Sequence, residues 1–214
     1  MTPIHREGYT VIVIAALVVA LLSIISGTLA TIALLLTLLC VYFFRDPPRV
    51  IPDDETVIVA PADGVVDKVE RANPPDELDM DDGTNWTRVS IFLNIFNVHV
   101  QRIPFEGRIV KLHYREGAFL NIALDKNSAD NERQGCVLET NDGIKIPFVQ
   151  IAGLVARRIV CNLVVGQEVK KGDKYGIIKF GSRVDIYLPE EVHVSVKPGQ
   201  TMIAGESIIG RLLQ

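Results

Sequence analysis

The sequence predicts a mainly β domain carried on an N-terminal pair of membrane helices. Three observations predict it: an uncharged N-terminal stretch, a series of short Val- and Ile-rich runs broken by Gly, Pro and Asp, and two duplicated strand–turn patterns among those runs. The 214 residues suffice for one domain of ordinary size plus an anchor. Hydrophobic residues make up 48 % of the chain, and the excess sits at the N-terminal end. The net charge of −4 gives no basic surface for nucleic acid. Cys40, Cys136 and Cys161 are far apart, form no CxxC pair and read as reduced thiols of a cytosolic setting. His5, His99, His113 and His193 are not spaced as metal ligands, so no metal is expected.

Tyr9 to Phe44 is 36 residues without a charge. One helix of that length would run roughly 54 Å. That is well beyond a hydrocarbon core of about 30 Å. Gly27, between Ser26 and Thr28, can turn the chain and leave two arms, from Thr10 to Ile25 and from Leu29 to Phe44. Arg6 precedes the first arm, and Arg45 and Arg49 follow the second. Placing both flanks in the cytoplasm satisfies the positive-inside rule, which a hairpin allows and a single tilted span does not. A cleaved signal peptide fits poorly, because the apolar stretch is too long and no A-x-A site follows. The anchor is therefore set at 1–44 and the soluble domain at 45–214, in a cell membrane with the domain facing the cytoplasm. Pro47 and Pro48 stop the second helix and stiffen the exit.

In the soluble part, Thr56–Ala60, Gly64–Val69, Val89–Phe92, Arg108–Leu112, Tyr175–Phe180, Val184–Leu188 and Val192–Val196 read as strands. Pro61 to Val69 and Pro104 to Leu112 share the pattern P-x-acid-G-x-β-branched-x-K-aliphatic. Gly166 to Asp173 and Gly199 to Glu206 share G-Q-x-aliphatic-x-x-G-acid, with Met202 in the second copy at the aliphatic place. Glycine at such turns permits positive φ, and duplicated strand–turn units suggest a sandwich of similar β pieces. The pattern resembles barrel-sandwich hybrids of the lipoyl and biotinyl kind. The polar run from Asp125 to Arg133 is long enough for a lid and also fits an ordinary surface loop.

The chemistry-bearing run is Lys179-Phe180-Gly181-Ser182-Arg183-Val184-Asp185. A serine hydroxyl can attack the carbonyl before it, and glycine offers no side chain in the way. β-Elimination of the resulting ester and hydrolysis leave a pyruvoyl ketone, an electron sink for an amine substrate whose carboxylate departs as CO₂. Gly-Ser alone is an everyday turn. Around it, Phe180 to Asp185 resembles the self-cleavage site of the short, prokaryotic form of the phosphatidylserine decarboxylases. So, in chain order, do Phe43 to Pro47, Ala60 to Gly64, Phe96 to Val100, Gly117 to Asn121 with Asp125-Lys126 and Asn131 to Arg133, and Gln150 to Gly153.

The resemblance implies a pyruvoyl-dependent carboxy-lyase of phospholipid biosynthesis. It makes phosphatidylethanolamine from phosphatidylserine through a Schiff base with a covalent pyruvoyl group formed from Ser182. It implies autocatalytic cleavage of a zymogen between Gly181 and Ser182 into a β chain, 1–181, and an α chain, 182–214, that remain associated. Asp63 and His99 match the family's Asp and His, which with the serine resemble a charge-relay triad. Taken alone, Asp63-Gly64 is an ordinary turn and His99 a packed strand histidine. The longer bacterial form carries a second His three positions before the one matching His99; here it is Phe96. His99, His113 or a water remain as candidates to protonate the carbanion.

Three other functions fit parts of the pattern. Archaetidylserine presents the same reacting headgroup. A soluble amino acid would use the same cofactor but gives no reason for an anchor. A non-enzymatic, membrane-tethered carrier needs a modifiable Lys on a tight hairpin, and Lys126 lacks the matching flanks.

Overall fold

The computed structural model describes residues 2–80, 83–117, 131–153, 158–179 and 182–213. Ala118 to Asp130, which include Lys126 and the polar run before Asn131, and Phe180 and Gly181 lie outside the described residues. The chain divides into two compact units, Met1–Pro48 and Arg49–Gln214.

The first unit is a helical hairpin of α1 (Arg6–Ile25) and α2 (Gly27–Phe43). Ser26 makes the break in an extended conformation, and Gly27 is already the first residue of α2. The turn thus rests on one serine rather than on glycine's freedom. At the open end the His5 N–H donates to the Phe44 carbonyl and the Asp46 N–H to that of Pro3, both at 2.8 Å. Gly8 is required there: a Cβ on it would lie 2.6 Å from Cβ and Cγ of Phe44. The outward side chains of both helices are large and apolar, and α1 is long and apolar enough to cross a membrane.

The second unit is mainly β, as the sequence predicts. Its strands are β1 (Val57–Val59), β2 (Gly64–Arg71), β3 (Thr87–Leu93), β4 (Val100–Arg102), β5 (Gly107–Arg115), β6 (Arg133–Glu139) and β7 (Lys145–Ala152). They continue with β8 (Arg158–Cys161), β9 (Glu168–Val169), β10 (Lys174–Lys179), β11 (Ser182–Leu188), β12 (Val192–Val194), β13 (Thr201–Met202) and β14 (Ile208–Leu212). All pairings are antiparallel. Eight strands form one sheet in the order β13-β2-β3-β11-β7-β6-β5-β9, and two three-stranded sheets run β1-β14-β12 and β4-β10-β8.

Among the described residues these orders resolve into two equivalent halves of seven strands. One half is β1, β2, β3 and β11 to β14; the other, β4 to β10, is inserted between β3 and β11. The duplicated sequence segments occupy equivalent places. Gly64 and Gly107 have φ of 152° and 151°, and a Cβ on either would lie 2.2 Å from a carbonyl oxygen of the next strand. β2 and β5 each carry an irregularity at the same point, between Val66 and Lys68 and between Ile109 and Lys111. Gly199 donates to Val66 as Gly166 donates to Ile109, and Gly205 to Ala60 as Gly172 to Ile103. The halves meet where β11 pairs with β7, and the Ile186↔Phe148 pair there maps onto itself under the exchange.

Alternation along β11 sorts its two faces. Ser182, Val184 and Ile186 share the core face with Ala152, Gln150 and Phe148. The other face carries Arg183, Asp185 and Tyr187. Arg183 Nη2 donates to Asp185 at 2.9 Å, and both are almost wholly buried. A slip of one residue would bring this ion pair into the apolar core and turn Ser182 out, so the pair fixes the register.

Candidate active site

Ser182 opens β11 opposite Leu93, the last residue of β3, and Ala152, the last of β7. Asp63 immediately precedes β2, whose Val65 pairs with Phe92. Both therefore stand at one end of the large sheet. His99 immediately precedes β4, which pairs with β10, the strand leading to Ser182. The chain thus brings all three to the same end of the domain, each at or just before the start of a strand.

Ser182 is wholly buried, and among the described residues its Oγ has no hydrogen-bond partner. A buried hydroxyl without a partner is costly, and such groups collect at reactive sites. His99 is also wholly buried, with Nδ1 2.9 Å from the Asn97 carbonyl oxygen. A carbonyl only accepts, so Nδ1 carries the proton and Nε2 is the basic nitrogen of the neutral ring. Asn97 is itself fixed, since its Oδ1 accepts from the Asn94 N–H at 2.9 Å.

Asp63 is held differently from a triad carboxylate. Its two oxygens accept from Arg49 Nη2 at 2.9 and 2.8 Å, and Oδ1 also accepts from the Ala204 N–H at 2.8 Å. Among the described residues its hydrogen bonds go to these groups rather than to His99. Arg49, which the sequence offers as a cation flanking the anchor, is instead a half of this ion pair.

The core face below Ser182 carries polar residues to which the sequence assigns no role, although Asn131 and Gln150 open two of the stretches that carry the resemblance. Gln150 Nε2 donates to Gln101 Oε1 at 3.0 Å, and both side chains are wholly buried. Asn131 Nδ2 donates to the carbonyl of Ala152 at 2.8 Å, tying down the residue opposite Ser182. Deeper still, the Tyr175 ring stacks edge-on against Phe148, with centroids 5.1 Å apart. Burial pushes the Tyr175 phenol and the Cys136 thiol well up, so both stay protonated. All three cysteines are free. Among the described residues no group of His, Cys, Asp and Glu is arranged to hold a metal ion.

A lyase that removes CO₂ from a phospholipid is the class that comparison with known proteins defines. The family model of phosphatidylserine decarboxylase matches residues 36–210. The phosphatidylserine decarboxylase proenzyme of Rickettsia akari (strain Hartford) is 54 % identical over 206 residues, covering 96 % of this chain and 89 % of the relative. That of Rickettsia prowazekii (strain Madrid E) is 53 % identical over the same lengths. The chain belongs to the phosphatidylserine decarboxylase family and is a decarboxylase, which sets aside the non-enzymatic carrier.

Proposed function

We propose that this chain decarboxylates phosphatidylserine to phosphatidylethanolamine after converting its own Ser182 into a pyruvoyl group. The observation that supports this most is the buried, unpartnered Ser182 Oγ at the head of β11, in a chain whose relatives are named as proenzymes. A source hydroxyl kept from water and from hydrogen bonds fits a group made in place rather than one that binds.

In self-cleavage, His99 Nε2 takes the Ser182 hydroxyl proton as Oγ attacks the Gly181 carbonyl carbon. The Gly181–Ser182 amide bond breaks, the released nitrogen is protonated, and Gly181 is left as an ester on Oγ. Loss of the Ser182 α-proton expels the Gly181 carboxylate, and water then replaces the nitrogen, which leaves as ammonia. The products are a β chain, 1–181, and an α chain, 182–214, that begins with the ketone. The Asn97 carbonyl keeps the proton on Nδ1 throughout. Asp63, clamped by Arg49 and Ala204 at the same end of the domain, acts on the site through its charge.

A pyruvoyl group at residue 182 would supply a ketone, an electron sink for an amine substrate that loses its carboxylate as CO₂. The hairpin, taken as anchor 1–44, keeps domain 45–214 on the cytoplasmic face beside lipid in the leaflet. Arg6 and Arg45 carry that orientation, since Arg49 is paired with Asp63. The relatives' names favour phosphatidylserine over archaetidylserine. An intact-mass spectrum tests the reading. Wild type should give two chains, the smaller with its amine replaced by a ketone oxygen, and Ser182→Ala should give one inactive chain. An active wild-type protein with an unbroken chain would overturn it.

A further inference from the structure

We infer that Gln101 and Gln150 form the subsite that receives the zwitterionic headgroup, an α-amine beside an α-carboxylate, below residue 182. The inference rests on the pyruvoyl reading above and names the residues that hold the substrate in it.

The pair is half satisfied. One hydrogen bond joins the two amides, while Gln101 Nε2 and Gln150 Oε1 have no partner among the described residues, and neither side chain is exposed. One amide NH₂ group and one amide oxygen are therefore left over inside an apolar core. A buried polar pair of this kind is unfavourable unless something completes it.

The fold itself does not call for these amides. Gln101 lies opposite Gly176 in β4–β10, and its equivalent in the other half, Ile58, lies opposite Gly210 in β1–β14. Gln150 lies two residues past Phe148 in β7, and its equivalent is Leu188, two past Ile186 in β11. Ile58 and Leu188 are wholly buried members of the apolar core. The same two positions are thus aliphatic in one half and amide in the half next to Ser182.

Their location matches the reaction. Gln150 is two residues before Ala152 on the same face, so it stands one rung inward of Ser182. Gly176 touches this rung as well: a Cβ there would lie 2.9 Å from Gln150 Nε2. β4 runs antiparallel to β10, so the step from Gln101 back to His99 follows the step from Gly176 toward Ser182. The amide rung thus lies under the rung of His99 and Ser182.

The unmet groups are complementary to a serine head. Gln101 Nε2 donates to the carboxylate, and Gln150 Oε1 accepts from the amine. Neutrality suits the step that follows. A cation here would stabilise the carboxylate that must be lost and so raise the barrier, whereas an amide orients it with less ground-state stabilisation.

The test uses full-length protein in detergent, reduced with borohydride so that no Schiff base can form, and reads binding by calorimetry. Glycerophosphoserine should bind about tenfold or more tighter than glycerophosphoethanolamine, which lacks the carboxylate. Gln101→Met and Gln150→Met should abolish that preference while still cutting and still showing the ketone mass before reduction. Equal binding of the two probes by wild type, or a preference kept in both cut variants, would overturn the inference. Where a variant does not fold, the wild-type comparison decides. An uncut wild type without ketone is seen in the mass spectrum first, and it brings down the parent reading together with this one.

Discussion

The acid before the turn glycine is Asp63 in one half of the β unit and Glu106 in the other, and the two have opposite fates. Their glycines share one φ to within a degree and approach a neighbouring carbonyl equally closely. Yet Asp63 is buried and holds Arg49 and the Ala204 N–H, while Glu106 is exposed. The backbone frame is the same in both copies, so the frame needs neither acid. What differs is which end of each copy faces Ser182. The halves have kept one architecture, and chemistry has collected where the inserted half hands the chain back.

Paired substitutions sharpen this contrast. The largest effect is expected at His99, whose loss as base should slow self-cleavage by about 10²–10⁴-fold. Thr56→Ala, at the equivalent place in the other half, should leave the rate unchanged. A gel time course of chain separation reads both, and wild-type cutting by His99→Ala would return His99 to a packing role. Asp63→Asn should slow cutting less than His99→Ala, because Asp63 acts through charge and is not bonded to the imidazole. Glu106→Gln should do nothing, and equal slowing in both would show a common fold effect.

Gly64→Ala and Gly107→Ala should each lower stability by about 1 kcal/mol or more, since both force alanine into a positive φ. Denaturant melts of the uncut Ser182→Ala background should give similar losses; a large inequality would break the equivalence of the halves. The smallest effect concerns pH. Burial alone would raise the Glu77 carboxyl, but its hydrogen bond to Arg133 Nε at 2.5 Å and the charge of that residue hold it below the usual range. A lowered folded-state value adds stability above the unfolded value and loses it as pH falls through the folded one. Arg133→Lys should therefore matter less below about pH 4.5 than above it. The other half places buried Trp86 at this position, so no such pH dependence is expected for Trp86→Phe.

Much of this was legible in the sequence, and for physical reasons. Val57–Val59 and Gly64–Arg71 stand out because β-branched residues alternate with turn formers, and the two P-x-acid-G turns because only glycine fits their backbone. The uncharged stretch gave two helices, with Ser26 rather than Gly27 at the break. The insertion of one half in the other was not legible, because pairings such as Ser90↔Asp185 join segments almost a hundred residues apart. The two-residue strands Glu168–Val169 and Thr201–Met202 are too short to carry periodicity. His99's tautomer depends on a backbone carbonyl that no side-chain pattern reports. Gln101 did leave a signal: extending the Pro61–Pro104 repeat three residues upstream sets it against Ile58, an amide where the copy has a core aliphatic.

The route of the chain through the two halves bears on how the protein is made. The proposed break falls at the return from the inserted half, so the 33 residues from Ser182 onward would become a separate molecule woven into the larger one. β11 lies between β3 and β7, β13 borders β2, and β14 lies between β1 and β12. No strand of the small piece can leave without opening a sheet. Folding of the intact chain is unimolecular, whereas reassembly after the break needs two molecules to meet, one of them too short to fold alone. Synthesis thus offers a single favourable occasion to fold, and once heat or denaturant separates the pieces, recovery should depend on protein concentration.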